Sequence, residues 1–92
     1  MAQWKKLLVR MLEDTDPRNY TYDEAAQVLE HLGFALAPVS GTSHRKWRCR
    51  KADGTIVVIG LKQQGYGTLR PAYIRDMVKQ LREHHLVPDD LE

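Results

Sequence analysis

Residues 40 to 51 read SGTSHRKWRCRK: small residues, one histidine, then five Lys or Arg side chains with Trp47 and Cys49 and no acid among them. Imidazole has an unperturbed pKa of roughly 6.5, so His44 is the type of side chain that can take a proton near neutral pH. An RNA 2′-hydroxyl relieved of its proton attacks the adjacent phosphodiester, and nearby cations stabilise the extra negative charge of the transition state. His44, Lys46 and Arg48 are therefore the candidates for base and charge stabilisers, with Arg50 and Lys51 extending the basic run. Taken alone, the same residues also describe a surface histidine at a hairpin corner beside a solvated basic strand.

Charge is segregated along the chain. The 92 residues sum to +2, yet residues 31 to 82 hold ten Lys or Arg against Asp53 and Asp76, a net +8. That concentration attracts polyanions: RNA, DNA or an anionic lipid surface. DNA ranks below RNA, because no helix carries Asn, Gln or Arg spaced for the major groove beside a turn.

The elements that must position these residues follow from periodicity. Trp4, Leu7, Leu8, Met11 and Leu12 recur at helical spacing, so an amphipathic helix is expected over residues 2 to 13, ended by EDTDPRN. A second helix is expected to start at Thr21, with Glu24 reaching back as a capping box, and to stop at Gly33. The period then becomes extended: FALAPV, HRKWRCR and TIVVIG, with Asp53-Gly54 as a hairpin turn between the last two. Alternation puts His44, Lys46, Arg48 and Arg50 on one face of the middle strand and Trp47 and Cys49 on the other. A final helix is expected near residues 69 to 85, with Pro71 in its first turn. Three strands with helices on a single face leave the other face to solvent, and by the alternation that face could be the basic one.

The succession of helix, strand, GTSH, basic strand, DG turn, apolar strand, glycine-containing loop, GTLR and helix resembles the HicA toxin family over about residues 22 to 86. In that resemblance Gly41 and His44 fall on the family's G-x-x-H, separated by Thr42 and Ser43, and His44 takes the place of its catalytic histidine. Lys46 and Arg48 fall on basic strand positions, and Gly67, Thr68, Leu69 and Arg70 on the loop-to-helix signature. The resemblance implies an α+β, α-β-β-β-α fold like that of double-stranded-RNA-binding domains, metal-independent cleavage of mRNA, and neutralisation by a HicB-like antitoxin protein. Pro71 and the N-terminal helix depart from the family pattern.

The expected organisation is a helical extension at 1–20, a HicA-like domain at 21–87 and a flexible tail at 88–92, whose closing Leu-Glu has the form of a cloning remnant. No cofactor or metal is expected: His84 and His85 are adjacent, about 100° apart on a helix, unlike the i, i+4 spacing of a helical metal pair. Cys49 is the sole cysteine, and with no apolar run of membrane-spanning length a reducing cytoplasm is the expected location. Trp47 and Cys49 are expected in the core, and the stripe of the first helix is expected to pack on the domain or to join a homodimer. GYGTLR reads either as a phosphate-cradling loop, with Arg70 reinforcing a helix N-terminus, or as a plain connection. Two functions follow: an endoribonuclease with His44 as its base, or a non-catalytic module that binds RNA or a protein with the same face. A histidine at this corner favours the first; no residue identifiable as the general acid favours the second.

Overall fold

The first helix, α1 (Gln3–Glu13), exists because its apolar residues fall on one side, and Leu7, Leu8 and Met11 are buried there. The computed structural model describes residues 3–37, 44–62 and 68–89. Helix α2 (Tyr22–His31) starts as its sequence dictates: the Glu24 N–H donates to Thr21 Oγ1 at 3.1 Å, and the Thr21 N–H donates to Glu24 Oε1 at 2.9 Å. These reciprocal bonds satisfy two donors that a helix start leaves unpaired. Gly33, with φ +97°, turns the chain out of α2 in the left-handed conformation that glycine adopts without steric cost.

Three strands follow, β1 (Ala35–Leu36), β2 (His44–Arg50) and β3 (Ile56–Lys62), antiparallel in the order β1-β2-β3. The expected six-residue first strand is a short edge of two residues; the Ala37 N–H still donates to the Lys46 carbonyl at 2.8 Å, and Pro38 to Ser40 lie outside the described residues. The β2–β3 hairpin turns where Asp53-Gly54 predicts. The Lys51 N–H donates to the Thr55 carbonyl and the Gly54 N–H to the Lys51 carbonyl, with Gly54 at φ +91°. Asp53 Oδ1 accepts from the Thr55 N–H at 2.9 Å, which holds that exposed carboxyl below its ordinary pKa.

Helix α3 (Pro71–Glu83) begins with proline at its first position, where the missing N–H costs nothing. It ends two residues before the expected 85 because His85 adopts φ +56°, and the Leu86 N–H folds back to the Leu81 carbonyl. The architecture is α+β, with α-β-β-β-α preceded by an additional helix.

One continuous core joins the three helices with β2 and β3: Leu7, Leu8 and Met11 of α1 pack with Val28 and Leu29 of α2, Trp47, Val57, Ile59 and Leu61 of the sheet, and Ile74, Met77 and Leu81 of α3. The N-terminal helix is thus part of the core, and its apolar stripe is taken up within the chain. Arg82 ties α3 to it, donating from Nη2 to the Leu12 carbonyl at 2.9 Å. Tyr20 fastens the α1–α2 connection: its hydroxyl donates to Asp14 at 3.0 Å, its carbonyl accepts from the Leu69 N–H, and burial together with the Asp14 bond raises its phenol pKa.

Candidate nucleic-acid interface

Strand β2 divides its side chains between two environments. Trp47 is 4% exposed, inside the core, while Lys46, Arg48 and Arg50 are exposed on the opposite face. Cys49 is a free thiol and half-buried, less enclosed than expected because it lies near the end of the sheet, with Gly33 beside its sulfur. Strand β3 repeats the division, with Val57, Ile59 and Leu61 buried and Ile56, Val58 and Gly60 exposed.

The register gives the open face its composition. Arg50 lies opposite Ile56, Arg48 opposite Val58, Lys46 opposite Gly60 and His44 opposite Lys62. Directly opposed residues share a face with Cβ atoms about 4.5–5.5 Å apart, so a column of cations runs beside a column of aliphatic residues. Ile56 and Val58 are 58% and 39% exposed. His44 opens β2 at the same parity as the three cations. Lys62 lies two residues past Gly60, where the expected strand TIVVIG ends, so periodicity left it out of the site. Its signal was the Asp53-Gly54 turn: once Lys51 faces Thr55, counting outward along both strands brings Lys62 to His44.

The other predicted residues are dispersed. Lys51 stands at the hairpin end, half-buried, next in sequence to the column. Arg70 precedes α3, exposed, in an open hollow of about 700 Å³ that it shares with Arg18 and Arg75. Asp16 offsets part of that charge, 2.8 Å from Arg18 and 3.9 Å from Arg75. Of the expected GTLR signature, Thr68 forms a bridge to Thr21 and Leu69 is buried, so these two residues fasten the chain to the start of α2. Gly41, Thr42, Ser43 and Gly67 lie outside the described residues.

Among the described residues no group of three His, Cys, Asp or Glu converges as metal ligands would. No helix among them is long and apolar enough to cross a membrane.

No protein-family model, no curated protein and no solved structure matches this chain.

Proposed function

We propose that this chain is a metal-independent endoribonuclease of the HicA kind, the toxin of a toxin-antitoxin pair, cleaving mRNA in the cytoplasm with His44 as general base. The observation that carries the reading is the solvent-facing cation column of β2, with His44 at its head in register with Lys62. Lys46, Arg48 and Arg50 bind successive phosphates of the RNA backbone, releasing counterions. His44 takes the 2′-hydroxyl proton, the 2′-oxygen bonds to phosphorus, and the bond to the 5′-oxygen breaks. The leaving oxygen takes its proton from water. Lys46 and Lys62 flank His44 and stabilise the charge that builds on the phosphoryl oxygens. An acidic antitoxin surface laid over the column silences the enzyme by blocking base and polyanion access together.

A second reading, a binding module without chemistry, is favoured by the exposed Ile56 and Val58, which give the face an apolar half suited to a protein. The deciding experiment incubates purified protein with RNA in EDTA beside the His44→Ala variant. The parent is expected to cut and leave 2′,3′-cyclic phosphate ends, and the variant to bind RNA but cut about 10²–10⁴-fold more slowly. Equal rates, or a parent that binds RNA in a salt-dependent way and cuts none of a panel, would replace the enzyme with the binding module.

A further inference from the structure

The two edges of the sheet are protected unequally. Strand β1 is two residues long, and short edges are one of the ways proteins prevent strand-to-strand association. Strand β3 is seven residues, and its first six, Ile-Val-Val-Ile-Gly-Leu, contain neither charge nor proline. Among the described residues no strand lies beyond it.

The hairpin determines which backbone groups that edge presents. Lys51 and Thr55 form a hydrogen-bonded pair, so the alternation of an antiparallel ladder makes Cys49 with Val57, Trp47 with Ile59 and Arg45 with Leu61 the bonded pairs. The N–H and C=O groups of Ile56, Val58 and Gly60 therefore point outward. The side chains of these residues lie on the open face, with Ile56 and Val58 exposed and open space where a Cβ of Gly60 would stand.

We infer that β3 pairs antiparallel with β3 of a second copy about a two-fold axis at Val58, joining two sheets into one of six strands. In this register Val58 faces the second copy's Val58, and Ile56 faces the second copy's Gly60. The side chain that projects furthest thus meets the position with none, twice over by symmetry, as an isologous interface requires. Lys62 faces the second copy's Gly54, so the pairing sets no like charges against each other. A charged or extended foreign strand would gain the backbone bonds but not the match of Ile56 to Gly60, which is what selects a second copy. The pairing does not depend on the ribonuclease reading. If that reading also holds, the two cation columns lie three strand spacings apart, about 14 Å, on one continuous face.

Sedimentation of the full chain without RNA tests this, and dimers that increase with concentration are expected. Val58→Pro removes an N–H that points outward, sparing the β2–β3 ladder, and is expected to give a folded monomer. Cross-linking fixes the register without depending on that variant. In a Cys49→Ala background, Val58→Cys should form a disulfide-linked dimer on oxidation, since bonded antiparallel pairs lie about 5.5 Å apart at Cα, within disulfide reach. Ile56→Cys should link only when mixed with Gly60→Cys, because two copies of residue 56 lie about 14 Å apart along the strands at roughly 3.4 Å per residue. A chain that stays monomeric up to its solubility limit, or one in which Ile56→Cys links to itself as fast as Val58→Cys, would overturn the proposal. Loss of RNA cleavage with the dimer intact would fall on the ribonuclease reading alone.

Discussion

The two faces of strand β2 are made by neighbouring residues and do opposite work. Trp47 is buried in the common core, while Lys46 and Arg48 on either side of it stand in solvent. The reason is the two-residue period of a strand, which lets one seven-residue segment serve the core and a charged surface without compromise. The covered face carries the hydrophobic stabilisation. The open face buries little of its side-chain surface, which leaves its residues available to a partner.

The largest expected effect comes from breaking the covered side. Trp47→Ala should cost about 3–5 kcal/mol, as large-to-small core changes do, and should unfold much of the population at moderate denaturant. Trp47→Phe sharpens the point. Among the described residues the buried indole Nε1 has no hydrogen-bond partner, so phenylalanine removes an unsatisfied donor along with part of the volume, and should cost clearly less than alanine. Equal losses in urea melts would mean that the nitrogen carries no penalty.

Next is α1, which belongs with the covered face although it precedes the α-β-β-β-α succession. Leu8 is fully buried in the common core, and Leu8→Ala should lose about 2–5 kcal/mol in one cooperative transition. A two-step melt, with α1 lost before the rest, would show that the helix is an appendage rather than part of the domain.

The smallest effect on stability should come from the open side. Arg48→Glu with Arg50→Glu should change the unfolding free energy by no more than about 0.5 kcal/mol, because both side chains are exposed and lie opposite Val58 and Ile56 rather than an acid. Binding should respond where stability does not. RNA affinity should fall, and its dependence on salt between about 50 and 200 mM should flatten by roughly one unit of slope for each phosphate contact removed. A stable variant with parental affinity would move the interface elsewhere, with the hollow around Arg18, Arg70 and Arg75 as the next place to look.

Much of this was legible beforehand for local reasons. Thr21 and Glu24 contain their own capping box, Asp53-Gly54 its own turn, and Pro71 its own helix start, each within a few residues. Alternation along HRKWRCR separated Trp47 from the cations before any packing was known. The short β1 was not legible, since FALAPV has the composition of a longer strand and only pairing decides how many of its residues form a ladder. Nor was the role of Thr68 and Leu69, whose partners, Thr21 and Tyr20, lie nearly fifty residues away.

What the sequence determined by itself, then, is whatever depends on neighbours along the chain: where helices begin and turn, which residues of a strand share a face, and that the cations of β2 fall on one of them. Tertiary structure decided what depends on distant residues meeting. It enclosed the α1 stripe, brought Lys62 opposite His44, separated Arg70 from the strand cations, and left β3, uncharged before Lys62 and with Ile56 and Val58 exposed, as an edge among the described residues. Periodicity limits what a residue can face, but burial and register arise only when separate elements compete for the same apolar surface and the same backbone partners.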